Sequence, residues 1–218
     1  MDLFKAEGLE IYVNESYKLK EISFEIKEKE ITLIRSHYDE AHAIISALAM
    51  INKPLKGKLY YYEDNILSFN QLDIEEWRIS DIGYASYRDI LFEDLSILDN
   101  ILLPFRLNRI INVSNEYIEE VLDELDLFDI EDEKVKNISA FNKAKVKLAR
   151  CLISKPFALI LDDITRGLNI EERDLLEDAL SHINNYFQVT IIHGTNYYGK
   201  SIRASSIIDI EDGKIKNV

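Results

Sequence analysis

The chain has 218 residues, 47% of them hydrophobic, which is enough to bury the core of one domain. Acidic residues outnumber basic ones by 40 to 26, and the formal charge of −14 argues against nucleic acid as a partner. The longest apolar run, residues 43–51, is far shorter than the roughly 20 residues that cross a bilayer, and no signal-like segment opens the chain, so we expect a cytosolic protein. Cys151 is the only cysteine, which excludes an internal disulfide and predicts a buried apolar role.

The N-terminal region alternates apolar and polar residues, the pattern of strands that bury one face. The alternation is clearest at Ile22, Phe24 and Ile26, and it returns at residues 57–62. We therefore predict a half-buried antiparallel sheet built from the stretch up to about residue 31 and from residues 57–62.

Three short apolar runs predict strands that are buried on both faces. They are residues 31–34, 157–161 and 189–192. Such runs are typical of a parallel sheet covered by helices. Apolar residues recur at helical spacing in residues 40–51 and 115–127, which predicts two amphipathic helices. With three prolines and seven glycines the chain has no obvious flexible linker, so we expect one α/β domain over residues 1–218.

Six segments spread over most of the chain match the motifs of one protein family. They are residues 52–57, 82–84, 91–104, 146–156, 160–163 and 210–215. Residues 91–96 read L-F-E-D-L-S where the family has L-F-x-x-L-T, and residues 210–215 read I-E-D-G-K-I where it has L-E-D-G-K-I. The chain resembles the ATP-binding subunits of ABC transporters, with the closest likeness to the lipoprotein-release and phospholipid-trafficking branches.

This resemblance implies a P-loop-NTPase-like α/β fold. Its parts would be a mostly parallel core sheet flanked by helices, an antiparallel β region at the N-terminus and a helical subdomain at about residues 88–155. The resemblance also implies that the family's activity is hydrolysis of Mg-ATP coupled to transport. Such subunits act as dimers bound to an integral membrane permease, on the inner face of the cell membrane.

The phosphate-binding loop departs from the family pattern. That loop requires G-x-x-x-x-G-K-[ST], because backbone N–H groups, a lysine and a hydroxyl hold the phosphates and Mg²⁺. The aligned residues are Arg35, Ser36, His37, Tyr38, Asp39, Glu40, Ala41 and His42. They keep neither the glycines, nor the lysine, nor the final hydroxyl. Loss of the lysine alone weakens binding about ten- to a hundredfold, so we expect neither a nucleotide cofactor nor a metal.

The carboxylates of Asp39 and Glu40 should cap the following helix in place of a phosphate. His37 and His42 have two interpretations. They could ligate a metal or a phosphate, or they could be solvent-exposed or packed histidines, which is the more common role.

The two motifs that position water and metal are also altered. Tyr87 stands at the glutamine of the Q-loop, and tyrosine is a poor metal ligand at neutral pH. Asp162 of the Walker B strand is kept, but Asp163 replaces the catalytic glutamate. The shorter side chain displaces the carboxyl group by about 1 Å, which costs roughly a hundredfold in a positioned reaction. Thr195 stands at the switch histidine, and His193 lies two residues too early to replace it.

The signature motif, which completes the site of a dimer partner, has lost its glycines. L-S-G-G-Q reads I-S-A-F-N from residue 138, which keeps Ser139 and introduces Phe141. We expect the Phe141 ring to block the approach of a phosphate to the helix that follows.

The segment after the Q-loop keeps the family's apolar pattern and should form the groove that receives the membrane subunit. The implied groove residues are Tyr87, Ile90, Leu91, Phe92 and Leu95. Leu95 and Leu98 could equally be core residues. Arg106 and Arg109 either face the membrane subunit or are solvated.

An aromatic residue near the N-terminus could stack on adenine, as in the family. Tyr12 and Tyr17 are the candidates, although packing is the more common role for an aromatic residue on a strand.

The sequence therefore predicts a pseudo-ATPase that holds a membrane permease for lipid or lipoprotein traffic, as a homodimer or paired with an active ATPase chain. One alternative is a divergent Mg-ATPase in which Arg35 replaces the lysine and Asp163 is the base. The other is a sensor that binds a different ligand in a pocket lined by His37, Tyr38 and His42.

Overall fold

The computed structural model describes residues 1–37, 39–108, 113–196 and 203–217. Its strands in chain order are β1 (Asp2–Tyr12), β2 (Lys18–Lys27), β3 (Ile31–Ser36), β4 (Lys56–Tyr61), β5 (Asp64–Asn65), β6 (Ile82–Ser86), β7 (Ala158–Asp162), β8 (Thr190–Thr195), β9 (Ser206–Glu211) and β10 (Lys214–Asn217). Its α-helices are α1 (Glu40–Leu48), α2 (Gln71–Ser80), α3 (Ile97–Asn108), α4 (Asn115–Glu124), α5 (Ala140–Leu152) and α6 (Ile170–Phe187).

Two sheets organise the described residues. The first is antiparallel, in the order β2-β1-β4-β5, which confirms the half-buried N-terminal sheet. The second follows the order β10-β9-β3-β8-β7-β6 and is parallel except for β10. The predicted strands at residues 31–34, 157–161 and 189–192 all belong to the parallel sheet. Phe157 and Val189 each precede their strand; Val189 is buried, whereas Phe157 is 59% exposed.

Alternate residues of the parallel sheet face two separate hydrophobic cores. Ile160 and Ile192 pack with α1 and the antiparallel sheet. Leu159 and Ile191 point the other way, into a core shared with α3, α4, α5 and α6. Every residue of β7 and β8 is buried, as expected for strands covered on both faces.

The helices end earlier than the apolar periodicity predicted. The helix predicted at residues 40–51 ends at Leu48, and Met50 then adopts a positive φ of 51° that turns the chain. The helix predicted at residues 115–127 ends at Glu124, although Leu127 remains fully buried beyond it. The helices α3, α4 and α5 lie within residues 88–155, the range predicted for a helical subdomain. Across the described ranges, no helix is long and apolar enough to span a membrane.

Candidate functional site

The carboxyl ends of β3, β6, β7 and β8 meet at one edge of the parallel sheet, where ligands bind in open α/β sheets. The loops that follow them enclose a cavity of about 250 Å³. It is lined by His37, Asp39, His42, Tyr87, Asp162, Asp163, Arg166, Gly194, Thr195 and Asn196. The altered loop, the Q-loop position, the Walker B strand and the switch position therefore come together, as the resemblance implied. Tyr38 lies outside the described residues.

His42 forms an ion pair with Asp162 at the centre of this cavity. Its Nδ1 lies 2.7 Å from Oδ2 of Asp162, which is 1% exposed and also accepts a hydrogen bond of 3.0 Å from the Ser86 hydroxyl. The hydrogen bond to Asp162 raises the pKa of His42 despite partial burial. Neither interpretation of His42 from the sequence named Asp162 as its partner.

The first turn of α1 is not capped by its own carboxylates, so that prediction was wrong. The hydroxyl of Ser36 accepts the N–H of Ala41 at 2.9 Å, and the side chain of Asp39 makes no capping hydrogen bond. Glu40 turns away from the helix axis and is 1% exposed. Its Oε1 accepts the hydroxyl of Tyr17 at 2.5 Å and the backbone N–H of Gly213 at 2.9 Å.

Neither candidate for adenine stacking lines the cavity. Tyr17 is a hydrogen-bond donor to Glu40, and burial raises the pKa of its hydroxyl to about 12. Tyr12 is 55% exposed at the end of β1.

Arg35 pairs with a carboxylate on a neighbouring strand. It lies on β3, and its guanidinium donates to both carboxylate oxygens of Asp209 on β9, at 2.7 and 2.8 Å. A bidentate pair of this kind fixes the geometry of both side chains, so the Arg35 guanidinium links strand β3 to strand β9. The alternative in which Arg35 replaces the lysine stays a prediction, and it would require the guanidinium to leave Asp209.

Tyr87 is part of the cavity wall, as its Q-loop position implied, and its place in the partner groove stays a prediction. The guanidinium of Arg166 lies 4.3 Å from the centre of the Tyr87 ring, and Arg88 donates to the Tyr87 hydroxyl at 2.7 Å. Asp163 lies nearby, and burial raises the pKa of its carboxyl group. Thr195 donates a long hydrogen bond of 3.4 Å to Asp163, and His193 is buried away from the cavity.

The residues at the signature position serve the local helix. Ser139 is the N-cap of α5, and its hydroxyl accepts the N–H of Asn142 at 3.1 Å. Phe141 is half-buried and packs against the core of the helical layer, with the Lys145 ammonium 4.9 Å from its ring centre. The Phe141 ring is thus engaged in packing rather than freely projecting from the N-terminus of α5.

The predicted docking segment divides into exposed and buried positions. Ile90 is 77% and Phe92 53% exposed, whereas Leu91 is only 8% exposed and belongs to the core, so its assignment to the groove was wrong. Leu95 and Leu98 are half-buried. Arg106 pairs with Asp99, and Arg109 lies outside the described residues.

Asn100 holds the docking segment in place and was missed by the sequence analysis. This fully buried side chain accepts the N–H of Phe92 at 2.8 Å and donates to the carbonyl of Phe92 at 3.0 Å. Arg150 on α5 donates to the carbonyl oxygens of Ile90 and Asn100 at 3.3 and 3.1 Å. The only sequence feature that could have indicated this role is the presence of an asparagine in the first turn of an apolar helix. The spacing of residues along the chain does not predict which groups this asparagine binds.

Two carboxylates of this cavity bear on the binding of Mg-ATP. Asp162, the carboxylate expected to orient Mg²⁺, is hydrogen-bonded to His42, and Asp39 adds a further carboxylate to the cavity wall. Within the described ranges, no group of three or more metal-ligating side chains is arranged to hold a metal ion.

The fold and the position of this cavity define an α/β domain of the nucleotide-binding type. A sequence profile described as ABC transporter matches residues 43–166, more than half of the chain. The chain belongs to the ABC transporter family of ATP-binding domains.

Individual relatives are distant but cover nearly the whole chain. The bacitracin export ATP-binding protein BceA of Halalkalibacterium halodurans is 23% identical over 93% of this chain and 81% of its own length. The lipoprotein-releasing system ATP-binding protein LolD of Desulfotalea psychrophila is 24% identical over 91% of this chain and 89% of its own length. Both alignments run through the altered motifs.

Solved structures share the fold. The dimeric ATP-binding cassette MJ0796, bound to ADP and Pi, superimposes with a TM-score of 0.81 over 98% of this chain and 97% of its own, at 20% identity. The cbiO1 protein of Clostridium perfringens, part of the ABC transporter complex cbiONQ, gives a TM-score of 0.82 over 99% of this chain and 87% of its own, at 21% identity.

Proposed function

We propose that this chain is a catalytically inert ABC subunit that holds a membrane permease on the inner face of the cell membrane. The observation that carries the proposal is the pair between His42 and Asp162. An imidazole bonded to this carboxylate takes the coordination position that Mg²⁺ would need, and the raised pKa of His42 favours the positively charged form of the imidazole.

Two further charged groups of the altered loop are bound internally. Glu40 accepts hydrogen bonds from the Tyr17 hydroxyl and the Gly213 N–H, and Arg35 donates to the Asp209 carboxylate. Hydrogen bonds to charged groups contribute about 1.5–3 kcal/mol each, so a nucleotide would have to displace stabilising contacts before it gained any. These pairs count against the divergent ATPase, which would need free cations at this edge of the sheet.

The docking role is supported by Ile90 and Phe92, which expose large apolar side chains on a backbone fixed by Asn100. A pre-ordered apolar surface binds with little loss of conformational entropy. LolD proteins are named as parts of lipoprotein-releasing systems, and BceA as part of a bacitracin exporter. We assign the permease to lipid or lipoprotein traffic on the strength of the LolD likeness. We further propose that the chain works as a dimer, either with itself or with an active ATPase chain.

Titration calorimetry with Mg-ATP tests the loss of nucleotide binding, with MJ0796 as the positive control. The wild-type chain should give no binding heat up to millimolar nucleotide. A variant with Glu40→Gly, Ala41→Lys and His42→Ser should bind at least tenfold more tightly than the wild type, because it restores a cation and removes two internal pairs. Micromolar binding by the wild type would show that the proposal is wrong. An unimproved triple variant would show that these pairs are not what excludes the nucleotide.

Co-purification from detergent-solubilised membranes of the source cell tests docking. Ile90→Asp combined with Phe92→Asp should release the integral membrane protein that accompanies the wild-type chain. Leu55→Asp is the matched control, because Leu55 is also an exposed apolar residue, at 45%, but lies beside the antiparallel sheet. Retention of the membrane protein by the Ile90 and Phe92 variant would exclude this surface.

A further inference from the structure

A second cavity, of about 490 Å³, shares Asp39 with the first. It is formed between the turn that joins β1 to β2, the N-terminus of α1 and the turn of the C-terminal β9–β10 hairpin. Its lining residues are Val13, Asn14, Tyr17, Asp39, Glu40 and Asp212. Three of these six carry a carboxylate, and among the described residues that line the cavity none is a lysine, an arginine or a histidine.

The hydrogen bonds of Glu40 bring the three carboxylates together. Oε1 of Glu40 accepts the backbone N–H of Gly213 at 2.9 Å and the Tyr17 hydroxyl at 2.5 Å. Asp39 and Asp212 are the chain neighbours of Glu40 and Gly213, so the contact at 2.9 Å holds both close to the Glu40 carboxylate. Burial, the hydrogen bond to Glu40 and the charge of Asp212 raise the pKa of Tyr17 to about 12, which places Asp212 within electrostatic reach of the same hydroxyl.

Glu40 is a buried carboxylate whose hydrogen-bond donors are neutral. It is 1% exposed, and both of its hydrogen bonds go to Oε1, so Oε2 accepts none from the residues that the structure describes. The two cations of the same loop are engaged elsewhere, since Arg35 pairs with Asp209 and His42 with Asp162. Buried charges are normally paired. Glu40 therefore brings an unpaired carboxylate oxygen to the wall of the cavity, where it favours a positively charged ligand.

The geometry suits an organic cation better than a metal ion. Within the described ranges, no three Asp, Glu, His or Cys side chains are grouped closely enough to hold a metal. The volume of the cavity is typical of sites that bind small organic molecules. Val13 and the Tyr17 ring add an apolar and an aromatic surface, and ammonium groups are attracted to aromatic rings as well as to carboxylates. Several carboxylates beside such a surface match a ligand that carries ammonium groups at intervals along a hydrocarbon chain.

We propose that this cavity binds an aliphatic polyamine, with its ammonium groups on the carboxylates of Asp39, Glu40 and Asp212 and its hydrocarbon chain along Val13 and Tyr17. The inference goes beyond the docking role proposed above and is independent of it. The charge that the cavity selects is opposite to that of a phosphate, so the ligand belongs to a different chemical class from a nucleotide. Because Glu40 joins α1 to the β9–β10 hairpin, an occupied site should stabilise that junction.

The first experiment is titration calorimetry of the full chain with spermidine at physiological ionic strength, which screens weak attraction to the surface. The wild-type chain should show saturable binding. Asp39→Asn combined with Asp212→Asn should bind about ten- to a hundredfold more weakly, because it removes two charged partners. Glu63→Gln combined with Asp64→Asn is the matched control, since it makes the same change of charge at two exposed residues at the start of β5 and should bind like the wild type.

Two results of this titration would overturn the inference. One is the absence of saturable binding by the wild-type chain. The other is equal weakening in both double variants, or equal heats with Mg²⁺, which would show that spermidine responds only to the net charge of −14.

The second experiment separates binding from folding. Glu40→Gln keeps a side-chain oxygen for Tyr17 and Gly213 but removes the charge. We expect this variant to unfold cooperatively, and we expect spermidine to raise the thermal denaturation midpoint of the wild type but not that of Glu40→Gln. An equal rise in both proteins would exclude the Glu40 carboxylate as a binding group and contradict the proposal.

The third experiment locates the ligand. Nuclear Overhauser effects should connect the methylene groups of spermidine with the Tyr17 ring and the Val13 methyl groups. Effects confined to the acidic helices α4 and α6 would place the amine at another site, and either that result or the absence of any effect at Tyr17 would overturn the inference.

Discussion

The His42 imidazole and the Asp162 carboxylate, 120 positions apart in the chain, meet at 2.7 Å and join the first turn of α1 to the end of β7. Because Asp162 is 1% exposed, removal of the imidazole leaves a buried carboxylate with the Ser86 hydroxyl as its remaining side-chain donor. We expect His42→Ala to lower the free energy of unfolding by about 1–3 kcal/mol. Urea denaturation at pH 6 measures the change. His182→Ala, at a 54% exposed histidine, should cost much less, and equal losses in both variants would refute the buried-pair argument.

The same pair should make stability depend on pH. The pKa of His42 is raised in the folded protein, so its contribution is fully present below the ordinary histidine pKa of about 6.5 and is lost as pH rises through the higher folded value. The difference in unfolding free energy between wild type and His42→Ala should therefore shrink above neutral pH. Denaturation curves collected from pH 6 to 9 test this, and a difference that grew with pH would contradict it.

His193 should act in the opposite direction. Burial lowers the pKa of His193 to about 4. Between this value and the ordinary histidine pKa of about 6.5, the imidazole is protonated in the unfolded chain but neutral in the folded chain. Stability should fall as pH drops from about 6.5 toward 4, by roughly 3 kcal/mol from this one residue. His193→Met should remove that acid-dependent loss. A wild-type and a variant profile that stay parallel over this range would exclude His193 as the cause.

The Glu40 carboxylate should stabilise the packing of the C-terminal β9–β10 hairpin against the rest of the domain. Glu40→Ala removes the acceptor of both Tyr17 and Gly213, whereas Glu40→Gln keeps a side-chain oxygen for them. We expect the alanine variant to lose about 1–3 kcal/mol and to speed amide hydrogen exchange in β9 and β10. The glutamine variant should lie between alanine and wild type. Faster exchange confined to α1 would indicate that the carboxylate serves only its own helix.

Gly194 should tolerate no side chain, because α1 lies directly against β8. A Cβ atom at this position would come within 2.4 Å of Cγ1 of Ile45. We expect Gly194→Ala to cost about 1–3 kcal/mol through overpacking. Ile45→Ala should relieve part of that cost, so the double variant should lose less than the sum of the two single variants. Strict additivity in thermal denaturation would argue against the contact.

Local pattern was sufficient for the half-buried antiparallel strands and for the apolar strands β3, β7 and β8, whereas the order of the other elements was implied by the resemblance. Alternation at Ile22, Phe24 and Ile26, and the apolar runs of β3, β7 and β8, reflect burial on one face or both, which sequence records directly. The burial of Leu91 between the exposed Ile90 and Phe92 depends instead on Asn100, which fixes the backbone of that segment. Spacing alone could not indicate this.

The partners of charged residues were the least predictable part of the site. Glu40 binds a backbone N–H 173 positions away and Arg35 binds a carboxylate 174 positions away, so nothing near them in the chain pointed to these contacts. A helix start rich in carboxylates favours self-capping locally, but Ser36 already satisfies the N–H of Ala41. The altered loop, the Q-loop position, the Walker B strand and the switch position line one cavity, as the resemblance implied, whereas what each side chain does there required the tertiary structure.

Glu40 and His42 each bind another part of the protein, which makes it hard for single substitutions to restore a phosphate-binding loop at residues 35–42. A lysine restored at Ala41 would still stand between Glu40, which is bound to Gly213, and His42, which is bound to Asp162. Replacing Glu40 alone would leave the Tyr17 hydroxyl and the Gly213 N–H without their acceptor, and replacing His42 alone would leave the buried Asp162 with the Ser86 hydroxyl as its remaining side-chain donor, at about 1–3 kcal/mol each. Recovery of a phosphate site therefore needs several simultaneous changes, and every single-step path back passes through a less stable protein.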